Sequence, residues 1–165
     1  MHSEVNLSTP TPNELAAWRL FLESSQALVD ILDADLQEQS GISLRWYDVL
    51  VHLEEAPDGR LRMSELARRI VASTSGLTRV VDGMERAGLV RRERPPTDRR
   101  AIEVVPTTKG LDVLNAARPL HRDAVQRHFA RHLDDQDVKA LTRALTKVRD
   151  EVRPLRDKSP APSFS

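Results

Sequence analysis

At 165 residues, with 25 basic and 25 acidic residues, the chain allows one domain, or one plus an appendage, and can bury a real core. It has no cysteine, which excludes disulfides, cysteine-based zinc sites and thiol redox sensing together. No stretch is long and apolar enough to span a membrane and no signal-peptide pattern opens the chain, so a soluble, cytoplasmic protein is expected.

Residues 1–12 are polar, with prolines at 10 and 12, and read as a flexible arm. Asn13 is a candidate N-cap for a long helix to about Gln39, ended by Gly41. Leu15, Trp18, Leu22, Val29, Leu32 and Leu36 give that helix a heptad-like stripe, widened by Phe21, Leu28 and Ile31. So broad a face needs a cover, from its own domain or from a second subunit. Ser43 can cap the next helix, Leu44 to Glu55, where Trp46, Val49, Leu50 and Leu53 recur at helical spacing. These helices form an N-terminal unit, 13–56.

Pro57-Asp58-Gly59 marks a turn, and Arg60 to Arg62 suits a short strand. Ser64 to Ile70 is a short helix, followed by a break at Val71 to Ser73. Ser73 is a good N-cap for a second helix, Thr74 to Ala87, on which Leu77, Val80, Val81 and Met84 form a clean apolar stripe. Its other face carries Ser75, Thr78, Arg79, Asp82 and Arg86, and Gly88 stops it. Two strand-like runs follow, Leu89 to Arg94 and Ala101 to Val105, joined by a turn through Pro95 to Arg100. Thr107 caps a helix to about Leu133 that Pro119 should kink. A capped break at Asp134 to Asp137 precedes a last helix, Val138 to Arg153, and residues 154–165, with three prolines, suit a disordered tail.

The expected fold is mainly α with a small β wing (α+β). It is a winged helix-turn-helix at 57–106, flanked by N-terminal helices and by C-terminal helices at 107–153 that suit dimerisation. Residues 60–100 hold eleven arginines against five acids, leaving fourteen basic and twenty acidic residues elsewhere. That places +6 on this segment and −6 on the remainder, so one face is drawn to DNA although the total is neutral. A polar-faced helix on an apolar stripe can offer side chains to base edges in the major groove. The basic hairpin beside it can reach phosphates or the minor groove.

The motifs Ser64-Glu-Leu-Ala, Ser75-Gly-Leu-Thr-Arg-Val-Val-Asp, Glu85-Arg-Ala-Gly-Leu-Val90, Asp98-Arg-Arg100 and Thr107-Thr-Lys-Gly110 resemble those of the MarR family of bacterial transcription regulators, over roughly residues 13 to 150. Gly83 departs from the pattern, standing where a larger, often basic residue is usual, and so does Pro106, where a leucine commonly closes the last wing strand. The resemblance implies a homodimer with interlocked terminal helices, bound to a palindromic operator in double-stranded DNA. It further implies a repressor released by a small aromatic effector, sensed between the dimerisation helices and the DNA-reading unit. A ligand-independent nucleoid-type DNA-binding protein and a winged-helix protein–protein module are the rivals.

The candidate recognition-helix residues are Ser73, Thr74, Ser75, Thr78, Arg79 and Arg86, with Arg79 able to grip a guanine edge or a phosphate. In the wing they are Asp98, Arg99 and Arg100. The resemblance gives Asp98 the role of brace to an arginine, with Arg99 the choice for the minor groove and Arg100 for a structural or phosphate contact. Candidate effector residues are Trp18, Leu22, Trp46, Val49 and Leu50, for which ordinary core packing is the competing explanation. His121, His128 and His132 share a helix, the last two at metal-pair spacing, but read as surface histidines, so no metal or cofactor is expected. No nucleophile–base set, phosphate loop or paired carboxylates supports catalysis.

Overall fold

The computed structural model of the chain describes residues 9–70, 74–95, 98 and 100–158, with the backbone alone at 74, 75 and 153–158. The order is α1 (Pro12–Ser40), α2 (Leu44–Glu54), β1 (Leu61–Arg62), α3 (Met63–Arg69), α4 (Thr74–Arg86), β2 (Val90–Glu93), β3 (Glu103–Pro106), α5 (Thr108–His128) and α6 (Asp135–Lys158), with a 3-10 turn at Ala130–His132 before α6. The strands form one antiparallel sheet in the order β1-β3-β2. Leu61 pairs with Val104, and Val90 with Pro106, so the short strand expected at 60–62 does join the wing.

Local chemistry sets most helix ends. α1 begins two residues earlier than Asn13 would start it, because Thr11 is the cap. The Thr11 hydroxyl accepts the Glu14 N–H at 3.3 Å, and the Glu14 carboxylate accepts the Thr11 N–H at 2.7 Å, a reciprocal capping box followed by Pro12. Ser43 caps α2 by accepting the Trp46 N–H at 3.2 Å. The helix expected to run to about Leu133 instead ends at His128 and passes into the 3-10 turn. α6 starts at Asp135 rather than Val138, since Asp134 accepts N–H groups of Gln136 and Asp137 at 2.8 and 2.9 Å. It then continues beyond Arg153 to Lys158, so the tail expected from 154 is helical over its first five residues.

The core lies where α2, α4, α5 and the sheet converge. Leu50 and Leu53 of α2, Leu77, Val81 and Met84 of α4, Val104 of β3 and Leu114 of α5 are essentially without accessible surface. The α4 stripe is therefore buried as its period requires. α1 adds only Leu36 to the fully buried set. Its earlier apolar face stays open: Leu15, Trp18, Phe21, Leu22 and Val29 are all more than two-fifths exposed. α6 likewise exposes Val138, Leu145, Val148 and Val152 and packs on no other element to any extent among the described residues. Intramolecular packing thus leaves both terminal stripes uncovered.

One junction ties the wing to α5. Gly88, at φ 74°, turns the chain out of α4 in the left-handed region that suits glycine. Thr107 then donates its hydroxyl to the Gly88 carbonyl at 2.7 Å and its N–H to the Leu89 carbonyl at 3.0 Å, while its oxygen accepts the Gly110 N–H at 3.0 Å. α5 consequently presses on the backbone at Leu89. A Cβ at Gly110 would lie 2.1 Å from the Leu89 carbonyl oxygen, a contact only a backbone shift could relieve. This accounts for the Thr-x-x-Gly pattern in physical terms. Gly110→Ala should cost about 1–3 kcal/mol of stability, the usual range for overpacking. Urea unfolding checks it: an unchanged midpoint would show that the α5–Leu89 approach is not as close as described.

Candidate nucleic-acid interface and adjoining cleft

With Leu77, Val81 and Met84 turned inward, α4 must show its other side to solvent. Thr78, Arg79 and Arg86 are exposed there, and Arg79 makes no ion pair among the described residues. Ser73, the candidate cap, lies outside the described residues, as do the side chains of Thr74 and Ser75. Gly83 is not on this outer face. A Cβ built on it would meet the Trp46 indole at 3.2 Å, so Gly83 admits the ring that packs α2 onto α4. The departure from the family pattern is thus a packing feature, and no DNA-facing side chain is lost by it.

In the wing, Asp98 does pair with an arginine, and the partner is one the sequence did not single out. Its carboxylate lies 3.5 Å from Arg62 of β1, and it also accepts the Arg100 backbone N–H at 3.1 Å. The turn is closed by Asp98 N–H to Pro95 at 3.2 Å and Ala101 N–H to Asp98 at 3.0 Å. With its N–H tied down, Arg100 keeps its side chain exposed and without an ion pair among the described residues. Arg99, chosen for the minor groove, lies outside the described residues.

Several arginines of the basic segment are engaged within the fold. Arg92 of β2 reaches back to α4 and pairs with Asp82 at 2.6 Å and Glu85 at 2.5 Å, and its backbone N–H donates to Glu85 at 3.0 Å. Burial works against the charge of Arg92, but the two carboxylates outweigh it and hold the guanidinium above its ordinary pKa. Arg60 pairs with Glu93 at 3.3 Å and Glu103 at 3.6 Å, Arg91 with Glu93 at 2.5 Å, and Arg69 with Glu65 at 2.9 Å. The recognition helix and the wing are therefore one charged, cross-braced unit. Arg68, Arg79, Arg86, Arg94 and Arg100 are exposed on it without an ion pair among the described residues.

The expected effector residues are not brought together. Val49 and Leu50 have no accessible surface and belong to the core, so neither can meet a ligand in this conformation. Trp46 is spent on Gly83, and Trp18 and Leu22 stand exposed on the first half of α1, Trp18 beside Phe21. The reason lies in the helix period: residues 46, 49, 50 and 53 share the inward side of α2. A cleft of about 880 Å³ opens instead along the polar side of α2, between α1, the end of α3 and the middle of α5. Asp48 and His52 line it with His121, whose ring stacks on Tyr47 at 4.5 Å.

The expectation of three surface histidines also needs correction. His121 is half-buried in this way, and His128 meets Asp35 of α1 at 2.9 Å, beside the Arg127–Asp35 pair at 2.8 Å. Only His132 is exposed. These pairs, which hold the Asp35 carboxyl below its ordinary pKa chiefly through His128 and then Arg127, fasten α5 to α1.

A model described as MarR family matches residues 40–101. AbsC, a MarR family transcriptional regulator from Streptomyces coelicolor, is 37% identical with a TM-score of 0.81, over 89% of this chain and 99% of that one. Sco3205, a MarR family transcriptional regulator of the same organism solved in complex with DNA, is 35% identical with a TM-score of 0.81, over 87% and 93%. The HTH-type transcriptional repressor YetL of Bacillus subtilis is 33% identical over 104 residues, 61% of this chain. The match spans 62% of that repressor's length.

The Arg92 brace makes a direct prediction. A double-mutant cycle of Arg92→Ala and Asp82→Ala, read by chemical denaturation, should show a coupling of about 1 kcal/mol, since the pair is partly exposed but belongs to a network. Strictly additive effects would mean that the wing and α4 are not joined through this side chain.

Proposed function

Since the chain belongs to the MarR family, we propose that it is a sequence-specific DNA-binding transcription regulator, a homodimeric repressor released by a small-molecule effector. The observation that carries the reading is the outward face of α4, with Arg79 projecting beside a braced basic wing. Thr78, Arg79 and Arg86 read bases or neighbouring phosphates, joined by Ser73, Thr74 and Ser75 on sequence grounds. Asp98 holds the wing in shape, Arg100 contacts phosphate, and Arg99 enters the minor groove, the last on sequence grounds alone. The repressor YetL and the DNA complex of Sco3205 support the DNA-binding part. The cleft between α1, α2, α3 and α5 supports the effector part.

Dimerisation is supported by the uncovered apolar faces of α1 and α6. A contiguous apolar surface of this kind on terminal helices is normally covered by a partner, and two-fold pairing would match a palindromic operator. Sedimentation equilibrium should show a dimer throughout the micromolar range, and Val148→Glu with Val152→Glu should dissociate it. A wild-type monomer at every concentration would end this part of the reading.

Selection of bound sequences from random duplex DNA tests the function as a whole. It should enrich an inverted repeat with half-sites about 10 bp apart, centre to centre. Arg79→Ala should then relax preference at one position per half-site, at a cost of about 1–3 kcal/mol if it holds a guanine. Arg100→Ala should weaken operator and random DNA alike and lower the salt slope by about one unit per lost phosphate contact. Enrichment of no sequence would leave a nucleoid-type binder in place of a regulator.

A further inference from the structure

The cleft beside α2 holds polar groups that serve neither the core nor the DNA-reading face. Three carboxylates enter it, Asp30 and Asp33 from α1 and Asp48 from α2, against Arg45 and Arg69. Most of these have partners. Asp33 accepts the Leu44 N–H at 2.7 Å and Asp30 the Gln26 amide at 2.8 Å, while Arg69 is held at 2.9 Å by Glu65, itself outside the lining.

Asp48 is different. His52, its nearest basic neighbour, is 3.9 Å away, beyond hydrogen-bond reach, and Asp48 accepts no hydrogen bond among the described residues. Burial pushes the Asp48 carboxyl above its ordinary pKa, the expected mark of a carboxylate without a close cation. Burial also holds the His121 imidazole below its ordinary pKa, against the pull of Asp48.

We propose that this cleft binds a cationic, amine-bearing organic ligand, with its ammonium group on Asp48 and its apolar part against Val29, Leu44 and Ile70. The inference rests on the ligand-responsive part of the reading above and gives a charge to the small aromatic effector that the resemblance implied. An ammonium group offers three donors and a full charge to a half-buried carboxylate, and Asp30 and Asp33 add negative potential around it. A carboxylate ligand would meet three acids. Of the two arginines that could bind it, Arg69 is occupied by Glu65 and Arg45 is exposed to water. The volume, about 880 Å³, suits a small organic molecule.

Three probes that share one ring and differ in the head group isolate the point: tyramine, its alcohol tyrosol and 4-hydroxyphenylacetate. Calorimetric titration of the full chain near pH 7.5 should show tyramine bound at least about tenfold more tightly than the other two. Asp48→Asn should bring tyramine down to the level of tyrosol without lowering the melting temperature. Asp30→Asn, an exposed change on α1, should weaken tyramine a few-fold and serves as the second variant. Tightest binding of 4-hydroxyphenylacetate would overturn the amine assignment and leave ligand response standing. Unaltered tyramine preference in Asp48→Asn would overturn it as well. Binding of none of the three would remove the cleft as this ligand's site, with the DNA-selection result unaffected.

Discussion

The arrangement depends on α4 having only one face that can be buried. Leu77, Val81 and Met84 are each at 1% exposure or less. Withdrawing each such side chain from water is worth about 1.5–3 kcal/mol. Together they fix the rotation of the helix about its axis. Turning it so that Arg79 faced inward would expose that stripe and bury an unpaired guanidinium, which costs far more than a lost hydrogen bond. The outward position of Thr78, Arg79 and Arg86 therefore follows from the stripe. It needs no contact of their own. Trp46 on Gly83 and the grip of Arg92 on Asp82 and Glu85 then hold the helix along its length and against the wing.

The same pairing changes how the basic segment should be read. Eleven arginines suggest a broad positive stripe, but Arg60, Arg62, Arg69, Arg91 and Arg92 each face a carboxylate within 3.6 Å. Their charge is largely answered within the protein. The field that reaches DNA then comes chiefly from the arginines that are exposed without an ion pair among the described residues, Arg68, Arg79, Arg86, Arg94 and Arg100. The paired ones supply stiffness, and a stiff hairpin loses less entropy when it docks. Arg62 and Asp98 illustrate the division. A single pair at the base of the wing leaves Arg100 with its N–H anchored and its side chain free to turn outward.

Much of this was legible because it is local. The apolar stripe of α4, the Ser43 and Thr107 caps and the Gly88 stop are each decided by residues within a turn or two of one another. The resemblance to a family rested on these same segments. Braces between distant segments were not legible. Arg62 with Asp98, and Arg92 with Asp82 and Glu85, join residues whose spacing follows from the register of β1, β2 and β3 and cannot be counted off the chain. The effector residues show a second limit. Helical spacing identified the apolar side of α2 correctly, but Val49 and Leu50 on that side went into the core, and the cleft formed on the polar side. Asp48 and His52 stand at i, i+4 on α2, but His121 comes from α5, so no spacing along the chain groups the three.

The position of the cleft has a consequence for control. It reaches Arg69 and Ile70, the last residue of α3 and its cap, so an occupant would touch the element immediately before α4. Ile70 is buried in the core and its N–H is bonded to the Leu66 carbonyl at 2.9 Å, which couples the end of α3 to the packing beneath α4. Contact alone does not release DNA, however. A ligand shifts the equilibrium between two arrangements only by the difference in its affinity for them. The groups able to supply that difference come from separate elements: Asp30 and Asp33 on α1, Asp48 on α2, Arg69 on α3 and His121 on α5. Since Asp35 with Arg127 and His128 ties α5 to α1, those two move as one support. The end of α4 is itself fastened to α5, through Thr107 on Gly88 and Leu89 and Lys109 on the Ala87 carbonyl, so an occupant bears most directly on α3. On the proposed reading, a ligand spanning the cleft acts through α3 on the recognition helix that follows it, by whatever difference its contacts make between two placements of α3.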